Sequence, residues 1–265
     1  MTTNNPMVKA VFFDIDGTLV SFRTHTMPES ARLALTALRQ NGVKVFVATG
    51  RAPSSAEFIK EYFDFDGFVY FNGALCLDKD GKILHDEPLN RAAVDGAIPY
   101  MNENKIACCF EMADRTVFNL INDRVRDLMK LVDESSIPSS VEDVSQTADS
   151  VYQLSAFVTE SEEADFMSRL PDCKALRWHP LFVNVVGKNG GKPVGIAKIC
   201  EQYGFDLKDV MAFGDGGNDS DMLKSVGLGV AMGNAGDAVK QIADYVTTDV
   251  DDNGVFNALK RFEVI

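Results

Sequence analysis

The chain has 265 residues, 46% of them hydrophobic and 25% charged, and carries a net charge of −13. That length suits one large domain or two moderate ones with a real core. The negative field argues against nucleic acid or an anionic membrane as a partner, so an anionic substrate would need local attraction from a cation or a few basic residues.

In chain order, Val8–Phe13 reads as a buried strand that runs into Asp14, Ile15, Asp16, Gly17 and Thr18. A helical stripe over Glu29–Gln40, with Pro28 near its start and Gly42 beyond its end, leads to an apolar strand at Val43–Ala48. Pro53–Phe63 reads as helix and Gly67–Phe71 as strand, and this βαβαβ order predicts a parallel sheet with crossover helices. The middle of the chain differs. It offers strands at Ala107–Glu111 and Val117–Leu120, a helix at Asp123–Asp133, then strands near Tyr152–Val158, Ala175–Trp178 and Phe182–Val186, with Pro99 expected to break an earlier helix. The acidic, serine-rich stretch Asp133–Ser150 reads as a solvated loop. The last third returns to alternation: helix Pro193–Tyr203, strand Val210–Phe213, short helix Asp219–Val226, strand Leu228–Ala231, helix Ala235–Ile242, strand Tyr245–Thr247, and a closing helix Asn253–Phe262. The expected fold is α/β, a Rossmann-like parallel-sheet core from residues 1–81 and 183–265, split by an inserted α+β domain at 82–182.

The five cysteines are odd in number and include no CxxC pair, which argues for a reducing compartment and against a disulfide framework or zinc site. The first ten residues lack the apolar stretch of a secretory leader, and no segment approaches the ~20 apolar residues of a membrane span. A cytoplasmic protein, monomeric or weakly self-associating, is expected.

Four segments end apolar strands or open helices with polar groups: DIDGTL (Asp14–Leu19), ATGR (Ala48–Arg51), GGKPVGI (Gly190–Ile196) and FGDGGNDSDML (Phe213–Leu223). Parallel strands would bring their C-terminal ends to one edge, gathering Asp14, Asp16, Asp215 and Asp219 with Asn218, Thr49 and Lys192. Four carboxylates together need a divalent cation, and hard oxygen ligands without His or Cys point to Mg²⁺. Lys192 and the hydroxyl and N–H groups at Thr49–Gly50 suit phosphate oxygens. A carboxylate of such a site can attack phosphorus, and a second, two residues on beyond the break that Gly17 permits, can protonate the leaving oxygen and then deprotonate water.

Two other motifs fail. Cys109–Arg115 has the C-x₅-R spacing of cysteine phosphatases, but Glu111 and Asp114 would repel phosphate and the segment reads as a hairpin. GKNGGKP (Gly187–Pro193) echoes a nucleotide P-loop, yet has three residues between its glycines and Pro where Ser or Thr should bind Mg²⁺. His25, His85 and His179 show no metal spacing. Lys188 competes with Lys192 for the phosphate role, and Lys192 is favoured because it abuts the helix start. Arg51 reads equally as a structural ion pair or a substrate contact.

DIDGT, then TG, then a lysine, then GDGGND resembles the motif set of the haloacid dehalogenase superfamily, and FNGA (Phe71–Ala74) with the inserted domain resembles its Cof-like, type IIB branch, close to bacterial sugar-phosphate phosphatases. The resemblance covers essentially the whole chain. It implies Asp14 as nucleophile forming an aspartyl-phosphate. Asp16 becomes the general acid/base, with its backbone carbonyl on Mg²⁺. Asp215 completes the metal ligands, and Asp219 is a ligand or orients one. Thr49, Gly50 and Lys192 hold the phosphoryl group, Asn218 contacts phosphate or orients the lysine, and Asn72 lines the entrance between core and cap. The inserted domain becomes a cap that reads the non-phosphate part of a small phosphorylated metabolite. Lys192 is followed by Pro193 rather than the family's frequent Gly. A phosphomutase of the same superfamily, or a phospho-aspartate regulatory protein, is the alternative.

Overall fold

The AVFF run forms strand β1 (Ala10–Phe13), wholly buried, in a computed structural model that describes residues 8–132, 141 and 150–265. The stretch expected as a solvated loop, Asp133–Ser150, lies outside the described residues except for residues 141 and 150. After β1 come helix α1 (Glu29–Gln40), β2 (Lys44–Ala48) and β3 (Gly67–Tyr70). β4 (Leu75–Asp78) and β5 (Ile83–Asp86) follow, then α2 (Arg91–Glu103), β6 (Cys108–Glu111), β7 (Thr116–Phe118) and α3 (Asp123–Val132). The chain continues through β8 (Gln153–Ala156), α4 (Glu160–Met167), β9 (Cys173–His179) and β10 (Phe182–Gly187). It closes with α5 (Lys192–Tyr203), β11 (Val210–Gly214), α6 (Ser220–Ser225), β12 (Leu228–Ala231), α7 (Asp237–Lys240), β13 (Tyr245–Val246) and α8 (Gly254–Arg261).

The described residues divide into two compact units: those within 1–51, 55–86 and 191–265 form the first, and those within 52–54 and 87–190 the second. The first holds an eight-stranded sheet in the order β13-β12-β11-β1-β2-β3-β4-β5. β13 through β3 are parallel, and β4 runs antiparallel to both of its neighbours, β3 and β5. Central strands are apolar on both faces, as a sheet covered on both sides requires. Phe12 stacks on Phe46 at 4.7 Å and Phe13 on Phe213 at 5.0 Å.

The second unit holds a five-stranded antiparallel sheet, β7-β6-β8-β10-β9. Val94, Ala97, Ile98 and Met101 of α2 join a core with Phe110, Leu154, Phe166 and Val183.

The units break at different points from 82 and 182. The β4–β5 hairpin turns on Asp78, whose carboxylate accepts the Asp80 and Lys82 N–H groups at 3.0 and 2.9 Å, so residue 82 lies inside a pairing of the first sheet. β10 pairs with β8 and β9, so a break at 182 would cut a strand of the second sheet.

Three local expectations are corrected. α2 runs through Pro99 without breaking, because that residue is exposed while the buried stripe on either side holds the helix in place. The stretch read as helix over 53–63 winds as a 3₁₀ helix, Ser54–Glu61. α4 was not anticipated, although Thr159 and Glu162 form a capping box in which the Thr159 N–H donates to Glu162 Oε2 at 2.8 Å. Among the described residues no helix is long and apolar enough to cross a membrane.

Candidate active site

The parallel registers fix the site. Phe13 pairs with Phe213 and with Val47, and Gly214 pairs with Ala231, so β1, β2, β11 and β12 end together. Asp14, Thr49 and Asp215 are the next residues beyond their strands. The Asp14 N–H continues the ladder to Phe213 O at 3.0 Å, and Thr49 N–H continues it to Val69 O at 2.8 Å. Beyond Asp14 the chain breaks from the sheet at Gly17 (φ +76°), a left-handed conformation that glycine takes without strain. Ile15 O accepts the N–H groups of Thr18, Leu19 and Val20, which makes the turn tight.

Lys192 reaches this edge because α5 starts against it. Gly73 (φ +109°) lies so close to Gly191 that a Cβ there would overlap the Gly191 carbonyl, and a Cβ on Gly195 would overlap Val69. Small residues thus let the helix start lie on the sheet, and Pro193 suits its first turn. The fully buried Lys192 ammonium donates to Asp14 Oδ1 and Asp219 Oδ1, both at 2.6 Å. Lys188 is an exposed residue of the second unit.

Asp219 has no exposure, and its second oxygen accepts the N–H groups of Asp215 and Gly216 at 3.0 and 2.9 Å. Asp215 takes the Thr18 hydroxyl on Oδ1 at 3.0 Å. One carboxylate oxygen from each of Asp14, Asp215 and Asp219 lies within 4.8 Å of the others. Burial, with the Asp219 and Asp16 charges adding, pushes the Asp14 carboxyl up to about 7 against the pull of Lys192. Burial, then the Asp14 and Asp219 charges, pushes Asp215 up to about 8. Burial draws the Lys192 ammonium down, but the charges of Asp14 and Asp219 outweigh it and the net direction is up. One ammonium facing three carboxylates leaves excess negative charge in a buried place. An all-oxygen donor set of this kind fits a hard divalent cation such as Mg²⁺.

The Asp16 carboxylate lies outside that trio. Arg51 grips it with Nε to Oδ2 at 2.7 Å and Nη2 to Oδ1 at 2.8 Å. Arg51 is itself fixed by the Ser55 carbonyl at 3.0 Å and by the Phe58 ring. Thr49 is buried, and its hydroxyl accepts the Arg51 N–H at 3.1 Å.

Phe71 and Asn72 both take left-handed backbone (φ +49° and +50°), a strained choice for non-glycine residues that here directly adjoins the site. Their N–H groups donate to Arg51 O and Thr49 O. Asn72 is wholly buried, and its Oδ1 accepts from Asn218 Nδ2 at 3.0 Å. It thus ties the loop after β2 to the loop after β11. Gly50 lies against the same side chain, since a Cβ there would stand 3.0 Å from Asn72 Nδ2.

All nine anticipated residues belong to the first unit. Sequence reasoning gave no role to Thr18 or Asn234 and left Arg51 undecided. Asn234 Nδ2 donates to Gly17 O at 2.8 Å and to Asp215 Oδ2 at 3.3 Å. The signal for it was its place in the turn after the parallel strand β12, on the same sheet edge as the loop that Asp215 begins after β11.

The comparisons with known proteins bear on family and fold. Residues 11–259 match the family model of haloacid dehalogenase-like hydrolases. The chain is 33% identical over 257 residues to YkrA of Bacillus subtilis strain 168, a protein named as a phosphatase without a stated substrate, covering 97% of this chain and 98% of that one. It is 29% identical to the same organism's 5-amino-6-(5-phospho-D-ribitylamino)uracil phosphatase YitU, over 95% of this chain and 96% of that one. Among solved structures, BT1666 from Bacteroides thetaiotaomicron superposes with a TM-score of 0.93 at 34% identity, covering 100% of this chain and 98% of that one. The subclass IIB sugar phosphatase BT4131 gives 0.86 at 35% identity, covering 97% of this chain and 100% of that one. With motifs, fold and relatives in agreement, the chain belongs to the haloacid dehalogenase-like hydrolase family, among its Cof-like phosphatases.

Proposed function

We propose that this enzyme hydrolyses small phosphate monoesters, sugar phosphates foremost, through an aspartyl-phosphate on Asp14 and with Mg²⁺ held by Asp14, Asp215, Asp219 and the Asp16 backbone carbonyl. The observation that carries the reading is the trio of carboxylates, Asp14 and Asp219 buried and Asp215 half-buried, with Lys192 bridging the two buried ones. The cation, when bound, supplies positive charge that keeps Asp14 ionised and offsets charge on the phosphoryl oxygens.

The residues divide the work. An Asp14 oxygen attacks phosphorus while Asp16 donates a proton to the leaving oxygen. Asp16 then takes a proton from the water that attacks the aspartyl-phosphate, so the acid of the first half is the base of the second. Lys192, the Thr49 hydroxyl and the Gly50 N–H bind the phosphoryl oxygens as charge redistributes. Asn72 and Asn218 brace the loops that present these groups. The second unit selects the organic part of the substrate. The names of BT4131 and YitU, which concern a sugar phosphate and a phosphorylated ribityl compound, support a polyol-like leaving group. All five cysteines are free thiols, which supports a reducing, cytoplasmic setting.

The test is phosphate release from a panel of sugar, polyol, nucleotide and cofactor phosphates, with Mg²⁺ and with chelator. Turnover that needs Mg²⁺, vanishes in Asp14→Asn and falls steeply in Asp16→Ala supports the proposal. Stable phosphorylation without turnover would sink the hydrolase reading in favour of a phospho-aspartate switch, and dependence on a sugar bisphosphate would favour a mutase.

A further inference from the structure

We propose that Asn234 is a positioning residue for the cation site: it aims the Asp215 carboxylate and thereby sets how tightly the site holds Mg²⁺. The inference rests on the assignment of Asp215 as a ligand.

The placement follows from the sheet. Ala231, the last residue of β12, pairs with Gly214, and the Met232 N–H extends that ladder to Gly214 O at 3.0 Å. The Ala235 N–H then closes a turn onto Met232 O at 3.0 Å, which leaves Asn234 beside the loop that Asp215 begins. The turn is pressed onto the 248–254 segment. Gly233 donates its N–H to Thr248 O at 2.9 Å, and a Cβ on it would stand 2.5 Å from Asp249 N. Asn234 is therefore presented by packed backbone.

Its side chain makes three bonds, each to a different segment. Oδ1 accepts the Val250 N–H at 3.0 Å, and Nδ2 donates to Gly17 O at 2.8 Å and Asp215 Oδ2 at 3.3 Å. An amide nitrogen has two hydrogens, so both donations can coexist. The first two bonds are those of a structural asparagine, but the third is to a carboxylate of the metal trio. Asp215 is then held on both oxygens, by Thr18 on Oδ1 and Asn234 on Oδ2, with Gly17 close against Oδ2. Losing one holder frees the carboxylate to rotate, and that freedom must be lost again when a cation binds. Removing such outer hydrogen-bond partners of metal ligands costs about 10- to 100-fold in affinity.

Mg²⁺ is titrated calorimetrically into metal-free wild type, Asn234→Ala and Asn257→Ala, alongside the Mg²⁺-dependent rise in melting temperature, the Mg²⁺ midpoint for phosphate release, and kcat at saturating Mg²⁺. Asn257 is the control. Its Nδ2 holds Thr248 Oγ1 at 2.8 Å and Asp252 O at 3.1 Å, bracing the same segment without touching Asp215. Asn234→Ala is expected to weaken Mg²⁺ binding about tenfold while kcat at saturating Mg²⁺ stays within about twofold. Asn257→Ala should leave the binding constant unchanged. If Asn234→Ala does not fold, Asn234→Ser, which keeps an oxygen but cannot span both acceptors, should give the same shift. An unchanged Mg²⁺ constant in the Asn234 variants, or an equal shift in Asn257→Ala, overturns the proposal while the site assignment stands. A wild type that binds no Mg²⁺ overturns the site assignment itself, and this proposal with it.

Discussion

Arg51 holds both carboxylate oxygens of Asp16 in a bidentate pair, at 2.7 and 2.8 Å. Burial alone would draw the guanidinium down, but the Asp16 carboxylate more than reverses this and the net direction is up. If Asp16 is the proton donor, Arg51 governs where that donor points. A donor matters most when the leaving oxygen is a poor one. Arg51→Gln should therefore lower kcat/KM about tenfold on alkyl phosphates such as sugar phosphates, and far less on p-nitrophenyl phosphate, whose leaving group needs no proton. Equal losses on both classes would mean that Arg51 only supports the fold. Arg51→Lys should behave like Arg51→Gln, because an ammonium cannot reproduce the fork.

Lys192 carries the charge balance of the buried edge. Lys192→Met would leave Asp14 and Asp219 facing each other without a cation, a loss expected to destabilise the metal-free protein by about 3–5 kcal/mol. Urea melts in chelator measure this. Adding Mg²⁺ should recover part of the stability without recovering turnover, since no ammonium remains for the phosphoryl group.

The raised carboxyl groups predict how stability follows pH. Asp14 moves from 3.8 to about 7 and Asp215 from 3.8 to about 8, both upward because burial disfavours the charged form. The folded state thus binds more protons than the unfolded state between those limits. The stabilisation is complete below pH 3.8 and is lost as pH rises through about 7 to about 8. Metal-free protein should melt at lower temperature at pH 9 than at pH 6, and saturating Mg²⁺ should flatten most of that slope. Glu111 in the second unit, pushed up to about 7 by burial although Ser155 and Gln153 bond its carboxylate, adds a share that Mg²⁺ cannot remove. Glu111→Gln should flatten this residual slope. A metal-free melting curve that rises from pH 6 to 9 would contradict the assignment.

Two glycines should respond in opposite directions to the same substitution. Gly73 has φ +109° and would drive its Cβ into the Gly191 carbonyl, so Gly73→Ala should cost about 2 kcal/mol or more and displace Lys192, with loss of turnover. Gly96 lies inside α2, and a Cβ on it would meet nothing within 4 Å beyond its chain neighbours and the helix's own backbone, so Gly96→Ala should stabilise by about 0.5–1 kcal/mol without touching activity. Thermal melts and phosphate release on the two variants decide both.

The sequence by itself determined the parallel core and the edge on which its polar residues meet. Asp14, Thr49 and Asp215 each follow a short apolar strand, and parallel strands in register must end on the same side. The order of the motifs, with Lys192 at a helix start, carried the family. What the sequence did not determine were relations between segments far apart in the chain. Pro99 reads as a break because propensity is local, whereas the buried face of α2 is a property of the packed unit. The divisions after residues 86 and 190 depend on which strands β5 and β10 pair with, and pairing is not encoded in a strand's own residues. Asp16 and Arg51 stand 35 positions apart, and Asn234 and Gly17 stand 217 apart. No periodicity links such partners. Only the assembled sheet, by setting four loops side by side within hydrogen-bond reach, decided that Arg51 holds Asp16 and that Asn234 holds Asp215.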